Sequence, residues 1–325
     1  MTFFFPPHRI FFEMNCYNYY NALGQDYHLN TNTRLIQTFK THSWPKCEAK
    51  ITWNGTNMIE HIVTYKKWPG EKDRIYTHDF VVRNLEQLLL FTNTAPSFTG
   101  MVMTSDNGMC DSPKIPIIEH SQSPLKNSIL LPLHSNQVWF WAKNYSTKKE
   151  VMLNNSDCVW YGGRTGYAHI QSAFNMNRTR CSKFMTDREC VVNMHLPNIQ
   201  FGSHLAYLEN DCILAIDGNG YAGSLKTALY HQKLAIRVGG FSGGYRLSSY
   251  EWFEPFLQDN IHYIQSSIDA LPETLERVAK MSMKAKQQIA SNGHKAFMAL
   301  INKTSISCYV RIAVQGKPLF RTFSA

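Results

Sequence analysis

The sequence predicts an α/β fold with two domains, and three observations lead to this prediction. Residues 212–216 and 233–238 are short apolar runs with the length of buried strands, and a glycine-rich loop and a helical pattern lie between them. The 325-residue chain is longer than a typical single domain of about 100 to 200 residues. Its hydrophobic share of 44% is sufficient for a large core.

Upstream of these runs, the pattern predicts shorter elements. Turn signals stand at residues 53–55 and 68–70, within a polar and aromatic-rich region that extends to about residue 80. Residues 81–91 fit a helix or a strand equally well, whereas 115–118 and 129–132 are typical of short strands. We expect a linker between residues 136 and 146. The predicted domains are therefore 1–140 and 141–300, followed by a C-terminal tail at 301–325.

Downstream, a helix is predicted from Leu271 to about Ser291, ended by Asn292-Gly293. A later break at Gly316-Lys317-Pro318 would end any further helix early. The long helix has one apolar face, expected in the core, and lysines that are expected to be more exposed. The apolar positions are Leu275, Val278, Ala285 and Ile289, and the lysines are Lys280, Lys284 and Lys286.

The loop between the two apolar runs has the composition of a phosphate-binding turn. Gly218, Gly220 and Gly223 let the backbone come close to a ligand, and the helix that begins near Gly223 or Ser224 would point unpaired N–H groups at an anion. Lys226 adds a full positive charge in the first turn. An ordinary turn is the alternative, because the spacing is neither a dinucleotide fingerprint nor a Walker loop.

Three segments of the second half resemble one family, the protein O-glucosyltransferases and fungal capsule xylosyltransferases. Its patterns D-G-N-x-x-S-S-R-x-K-x-x-L, W-F-x-P-x-L-x-P-x-x-H-Y-I and I-A-x-N-G are similar to Asp217 to Leu229, Trp252 to Ile264 and Ile289 to Gly293. The similarity covers about residues 205 to 300. Further upstream, Trp160 to Gly166 looks like the W-R-G-x-x-T-G of the family.

This resemblance implies a GT-B-like arrangement of two Rossmann-like domains facing a cleft. It also implies inverting transfer of glucose or xylose from a UDP-sugar donor to a hydroxyl of a protein or glycan acceptor, without a cofactor or an obligatory metal, in the endoplasmic reticulum or Golgi lumen. Arginine, lysine and helix N–H groups can stabilise a diphosphate leaving group. The donor-binding positions that the resemblance implies are Gly163, Arg164, Thr165, Arg178, Arg180, Asp217, Gly218, Gly220, Gly223, Ser224, Lys226 and Glu251.

The chain departs from the family pattern at several functional positions. Tyr161 and Ser224 stand where the family has arginines. Residues 89–96 resemble the L-L-N-T-G-D-x-P of the family, and this resemblance favours a strand near the end of 81–91. It places Thr94 at the position of the catalytic aspartate of the family. A neutral threonine hydroxyl cannot serve as a base. Other candidates for the base are Asp106, Asp111, Glu119 and His120. A catalytically inactive, transferase-like binding protein is therefore an alternative.

Four single residues allow two interpretations each. His262 matches the histidine of the H-Y pair, but a histidine among apolar neighbours is more often structural than catalytic. Asp217 could contact a ribose or cap the loop, of which capping is the commoner role. Glu251 and Glu254 flank Trp252, and either one of them binds a hydroxyl or both are solvated.

A net charge of +9 favours acidic partners, which include a nucleotide diphosphate. The basic residues form only short pairs, so a nucleic-acid partner is not predicted, and a basic protein that binds polyanions is a third hypothesis. No stretch approaches the roughly 20 apolar residues of a membrane span. The eight cysteines and the histidines lack zinc-site spacing, so no metal site is predicted.

The cysteines and glycosylation sequons fit a secretory compartment. An even number of cysteines suits disulfides, although Cys212, inside an apolar strand, is expected to be a buried free thiol. Five Asn-x-Ser/Thr sequons begin at Asn54, Asn144, Asn154, Asn177 and Asn302.

Overall fold

The structure is a computed structural model that describes residues 49–63, 85–93, 95, 97–102, 117–119, 129–132, 158–160, 191–192, 194–196, 199–201, 210–217, 222–239 and 251–314. The strands are β1 (Ala49–Trp53), β2 (Met58–Val63), β3 (Phe98–Val102), β4 (Ile117–Glu119), β5 (Ile129–Leu130), β6 (Cys158–Trp160), β7 (Ile199–Phe201), β8 (Cys212–Ile216), β9 (Leu234–Val238) and β10 (Ile264–Ser266). The helices are α1, described over 85–92, α2 (Gly223–Tyr230), α3 (Leu271–Lys280), α4 (Met283–Ile301) and α5 (Lys303–Val314).

These elements fall into two compact units. The first contains β1 to β5, α1 and the residues from Leu300 onward, and the second contains β6 to β10, α2, α3 and α4 as far as Ala299. The linker predicted between 136 and 146 lies outside the described residues. Helices and strands are mixed and the second unit has a parallel sheet, which is compatible with the α/β class predicted from the sequence.

The first unit is built on a mixed sheet with the order β2-β1-β3-β4-β5. Strand β1 pairs antiparallel with β2 and β3, whereas β3, β4 and β5 pair in parallel. The turn predicted at residues 53–55 joins β1 to β2, and Asn54 Oδ1 accepts hydrogen bonds from the backbone N–H groups of Thr56 and Asn57. The two short strands predicted near residues 117 and 129 are confirmed as β4 and β5.

Residues 85–92 are helical, so the strand favoured near the end of 81–91 is wrong. Leu85, Leu88 and Leu89 are fully buried, and their spacing places them on one helical face. Asn93 ends the helix with φ of 47°, and its N–H donates to the carbonyl of Leu89. Burial of these three leucines on one face stabilises a helix here in place of the strand that the resemblance favours.

The second unit is built on a parallel five-stranded sheet with the order β7-β6-β8-β9-β10. In chain order this is the doubly wound arrangement 2-1-3-4-5. Strands β8 and β9 are the two apolar runs predicted from the sequence, and every residue in them is buried. Continuous apolar strands of this kind are typical of a sheet that is covered on both faces.

A disulfide joins Cys158 to Cys212, so the expectation of a free thiol at Cys212 is wrong. The two residues are directly opposed in the pairing of β6 with β8, and their Cα atoms are 4.4 Å apart. Because the two cysteines are 54 residues apart in the sequence, the local pattern around Cys212 does not indicate its partner. Cys308 is also disulfide-bonded, and no cysteine in the described ranges is free.

The helix predicted from Leu271 to Ser291 is in fact two helices. The predicted helix is interrupted at Met281 and Ser282. The backbone of Met281 is extended. The side-chain oxygen of Ser282 accepts a hydrogen bond from Ala285 N–H at the start of α4. Leu275, Val278 and Ile289 are buried and Lys280 and Lys284 exposed as predicted, with Ala285 half-buried. Lys286 is buried, so its predicted exposure is wrong. The shift of phase at the interruption turns this lysine inward.

Helix α4 also continues through Asn292-Gly293 to Ile301, so the predicted stop is wrong. A Cβ at position 293 would collide with the carbonyl oxygen of His262 and lie 2.9 Å from Leu229 Cδ2. The glycine therefore serves close backbone packing inside a helix, a role that the dipeptide signal does not distinguish from a helix stop.

Part of the predicted C-terminal tail forms α5, which is buried from Ser305 to Val314. Ser307 Oγ lies 3.5 Å from the carbonyl oxygen of Thr92, and Lys303 Nζ lies 5.1 Å from the ring centre of Phe91. Helix α5 therefore packs on the end of α1 within the first unit. Residues 316–318, the predicted break, lie outside the described residues.

We expect Gly293→Ala to lower the free energy of unfolding by about 1–3 kcal/mol, because the added methyl overpacks the contact with His262. In an ordinary helix interior the same change would be stabilising by about 0.5–1 kcal/mol. The measurement is urea unfolding followed by circular dichroism.

Asn292→Ala, one residue earlier in the same helix and half-buried, is the matched control for Gly293→Ala and should change stability by less than about 0.5 kcal/mol. A stabilised Gly293→Ala variant would show that α4 does not approach His262 as closely as described.

Candidate functional site

Among the described strands, the parallel sheet has its topological switch point between β6 and β8. In chain order, β7 follows β6 on one side of this point, and β9 and β10 follow β8 on the other. In open α/β sheets ligands bind in the crevice at the carboxyl ends of the two strands that flank such a point. Strand β6 ends at Trp160 and β8 ends at Ile216. The two segments singled out in the sequence, 160–166 and 217–223, begin at these two strand ends.

Helix α2 follows β8 and offers its N-terminus at the same edge of the sheet. Its N-cap residue is Ala222, which has no side chain able to accept from the first N–H groups, and its first turn holds no acidic residue. Leu225 N–H donates to the carbonyl of Ala222 at 2.9 Å, and the other N–H groups of the first turn and the positive end of the helix dipole favour an anion there. Ser224 is half-buried, and its hydroxyl donates to the carbonyl of Leu214 across 3.4 Å.

Lys226 forms a buried ion pair with Glu251. Its ammonium lies 2.6 Å from Glu251 Oε1, and its side chain is 0% exposed. Helical side chains lean toward the N-terminus of their helix, so a lysine in the first turn of α2 directs its ammonium toward that end. The pair therefore lies beside the N-terminal turn of α2. Lys226 is a partner of a carboxylate in this structure, and its contact with a diphosphate stays a prediction.

A second buried cation, Arg237 of β9, joins two more carboxylates to this pair. Arg237 Nη1 lies 2.5 Å from Asp217 Oδ1, and its Nε lies 3.1 Å from Glu254 Oε2. Glu254 Oε1 accepts a hydrogen bond from the backbone N–H of Glu251 at 2.9 Å. We call the five residues Asp217, Lys226, Arg237, Glu251 and Glu254 the charge cluster. It occupies the carboxyl ends of β8 and β9, next to the switch point.

Burial and mutual attraction set the protonation of the charge cluster. Burial raises the pKa of Glu251 to about 7, although Lys226 opposes that rise. Burial also lowers the pKa of Lys226, against the attraction of Glu251. Burial alone would lower the pKa of Arg237, but Asp217 and Glu254 together raise it above its usual value. Three carboxylates face two cations, so one negative charge is in excess when all five groups are ionised.

The structure resolves one of the alternatives left open by the sequence. Glu251 and Glu254 are both buried, at 3% exposure each, so the interpretation that both are solvated is wrong. The carboxylate of Asp217 pairs with Arg237, and the backbone N–H of Asp217 donates to the carbonyl of Val238. Residues 218–221 of the loop that Asp217 is expected to cap lie outside the described residues. Arg237 is the member that sequence reasoning missed, although an arginine inside an apolar strand run signals a buried partner.

His262 has a structural environment. Its Nδ1 accepts a hydrogen bond from the backbone N–H of Gln258 at 2.9 Å, and its carbonyl lies against Gly293. Burial lowers the pKa of His262 to about 4, so the ring is neutral at physiological pH. The histidine closes the tight turn between residues 258 and 262 and docks it on α4, which agrees with the commoner of its two interpretations.

The structure brings together Asp217, Gly223, Ser224, Lys226 and Glu251 of the predicted donor-binding positions. Glu119 ends β4, and its side chain lies outside the described residues. The predicted positions that also lie outside them are Thr94, Asp106, Asp111, His120, Tyr161, Gly163, Arg164, Thr165, Arg178, Arg180, Gly218 and Gly220.

Two further findings apply to the described part of the chain. No group of histidine, cysteine, aspartate and glutamate side chains within it could hold a metal ion. None of its helices combines the length and the hydrophobicity needed to cross a lipid bilayer.

No family model matches this sequence, and no curated protein is significantly similar to it.

Arg237→Leu should lower the free energy of unfolding by about 3–5 kcal/mol, because it leaves Asp217 and Glu254 buried without a counter-charge. Chemical denaturation measures the change. Arg277→Leu is the matched control, since Arg277 is exposed and hydrogen-bonds Asn260, and it should cost less than about 1 kcal/mol. Equal costs for the two variants would contradict the buried network.

The raised pKa of Glu251 makes stability depend on pH. The folded state holds a proton on Glu251 that the unfolded state loses above about 4.5, so this group favours folding at low pH and that contribution is lost as pH rises to about 7. His262 acts in the opposite sense, because its pKa is lowered. The difference in melting temperature between wild type and Glu251→Gln isolates the glutamate.

We expect that difference to favour wild type most at pH 4.5 and least above pH 7, while His262 contributes equally to both proteins and cancels. A difference that stays constant from pH 4.5 to 7.5 would show that Glu251 is ionised at its usual pKa despite its burial.

Proposed function

We propose that this protein is a UDP-sugar-dependent O-glycosyltransferase that moves glucose or xylose to a hydroxyl of a protein or glycan, with inversion. The observation that carries the proposal is the position of the motifs. The two segments that resemble donor-binding loops begin at the carboxyl ends of β6 and β8, the strands on either side of the switch point. A nucleotide ligand is expected at that edge of such a sheet.

The chemistry of the edge supports a diphosphate leaving group. The uncapped N-terminus of α2 supplies N–H donors for a phosphate oxygen, and Arg164, Arg178 and Arg180 are the cations that the sequence offers for the remaining charge. Such donors stabilise the charge that develops on UDP as the glycosidic bond breaks. Under this proposal Lys226 acts indirectly, because its ion pair holds the Glu251 carboxylate in position at the base of the crevice.

Three features support the GT-B-like arrangement and the secretory compartment implied by the resemblance. Helix α5 belongs to the first unit although it follows the second unit in sequence, as expected for a terminal helix that returns to the first domain. The disulfides at Cys158, Cys212 and Cys308 suit an oxidising lumen such as that of the endoplasmic reticulum or Golgi. The sequon asparagines Asn54 and Asn302 are exposed, as attachment of a glycan requires.

A catalytically inactive binding protein of the same fold is the second candidate, and Ser224 favours it. The family has an arginine at this position, whereas the Ser224 hydroxyl here donates to the carbonyl of Leu214 and supplies no charge. Thr94 at the expected base position points the same way. The two candidates share UDP binding and differ in turnover.

The test is calorimetric titration of the full chain with UDP, followed by hydrolysis assays of UDP-glucose and UDP-xylose on the same sample. We expect Ser224→Glu to weaken UDP binding by at least about tenfold, because a carboxylate in the first turn of α2 competes with the phosphate for its N–H groups. Thr227→Glu, which places the same charge one turn along on a half-buried position, is the matched control and should bind within about threefold of wild type.

Binding with turnover supports the transferase, and binding without turnover favours the inactive protein. Absence of UDP binding by wild type contradicts both. In that case, binding to heparin or nucleic acid that weakens steeply with salt would identify a basic polyanion-binding protein.

A further inference from the structure

Glu251, a member of the charge cluster, has a buried carboxylate oxygen that no described group of the protein satisfies. Glu251 Oε1 is held by Lys226, whereas Glu251 Oε2 is buried and has no hydrogen-bond partner in the described structure. The whole residue is only 3% exposed. Leaving a buried carboxylate oxygen unsatisfied costs about 1–3 kcal/mol or more, so such an atom calls for an explanation.

The neighbouring glutamate makes the contrast clear. Both oxygens of Glu254 are engaged, Oε1 by the backbone N–H of Glu251 and Oε2 by Arg237. Of the two glutamates flanking Trp252, Glu251 is therefore the one with a carboxylate oxygen that has no described hydrogen-bond partner. Its carboxylate also lies beside the N-terminal turn of α2, where Lys226 holds it.

A second buried lysine–carboxylate pair shows what a purely structural pair looks like in the same sheet. Lys233 and Asp211 lie 3.4 Å apart and are also buried. They precede β9 and β8, so they occupy the amino edge of the sheet, opposite the switch-point crevice. The pair that contains the unused acceptor is the one at the ligand edge.

We propose that Glu251 is a specificity residue whose Oε2 accepts a hydrogen bond from a neutral sugar hydroxyl of the bound ligand. The hydroxyl belongs to the ribose or to the transferred sugar, which present the same chemistry. This inference rests on the proposed function and deepens it, because it assigns a hydroxyl-recognition point to a site that otherwise binds charge. Lys226 is the positioning residue that fixes the carboxylate.

The direction in which UDP affinity changes distinguishes this proposal from a purely electrostatic role of Glu251. UDP is an anion, so removing the negative charge of Glu251 would strengthen UDP binding if the residue acted only through its charge. Loss of a hydroxyl acceptor weakens binding instead. A hydrogen bond to a charged group corresponds to roughly a 10- to 100-fold change in affinity.

The test measures the dissociation constants of UDP and UDP-glucose for wild type and two variants of the full chain. Glu251→Gln keeps the shape and a partner for Lys226, and it should weaken binding by about tenfold because an amide oxygen is a poorer acceptor. The double variant Glu251→Leu with Lys226→Met removes the pair without leaving a buried charge, and it should weaken binding by 10- to 100-fold. Circular dichroism and thermal unfolding verify that each variant is folded.

The pattern across ligands separates the two hydroxyls. Equal weakening of UDP and UDP-glucose assigns the hydroxyl to the ribose, and weakening of UDP-glucose alone assigns it to the transferred sugar. The matched control is Asp211→Leu with Lys233→Met, which removes the pair at the amino edge and should leave both affinities unchanged.

A pH series adds a readout that a structural role would not move. The charged groups that face Glu251 are Lys226 of α2, Glu254 of the 254–256 turn and Arg237 of β9. Because burial raises the pKa of Glu251 to about 7, the affinity of wild type relative to Glu251→Gln should increase as pH rises through 7.

Unchanged or stronger binding of both ligands by folded Glu251→Gln overturns the proposal while leaving the proposed function intact. No UDP binding by wild type overturns both.

Discussion

Burial of five charged side chains at one edge of the parallel sheet is the constraint on which the second unit depends. Lys226 and Arg237 are fully enclosed, and an enclosed cation without a carboxylate partner would cost several kcal/mol. Strand β9, helix α2 and the segments that follow β8 and β9 must therefore meet with correct geometry, because each contributes one or two members. An apolar core of equal volume would tolerate small displacements among these elements, whereas paired charges do not.

The same network links the sheet to the segment around Trp252. Glu251 and Glu254 come from a turn that has little regular structure of its own, and their contacts with Lys226 and Arg237 hold it against the carboxyl ends of β8 and β9. Beside it, the turn at residues 258–262 is closed by His262 and packs on Gly293 of α4. Irregular backbone at the ligand edge is thus held by polar contacts on one side and by close backbone packing on the other.

Local pattern predicts the parts of this fold in which sequence neighbours decide the structure. The apolar runs 212–216 and 233–238 are β8 and β9 because their burial depends on continuous hydrophobicity, and α2 begins at the predicted Gly223. Long-range contacts decide the rest. The Cys158–Cys212 bond, the burial of Lys286 and the passage of α4 through Gly293 each depend on a distant partner or on a shift of helical phase. Within the site, the sequence alone singles out Asp217, Lys226 and Glu251. The pairing of Lys226 with Glu251, and of Arg237 with Asp217, follows only from the order of the strands.

The cross-link between β6 and β8 bears on the order in which the chain can assemble. Cys158 emerges from the ribosome 54 residues before its partner, and β7, the edge strand, is made in between. During this interval β7 is the only sheet neighbour of β6 that has been made, so the central pairing of β6 with β8 forms only once β8 appears. Before β8 is made, an oxidant can join Cys158 only to a wrong partner, because Cys212 is not yet present. Strand β8 then acts as the template that selects the right partner, and an earlier wrong bond is corrected by thiol–disulfide exchange.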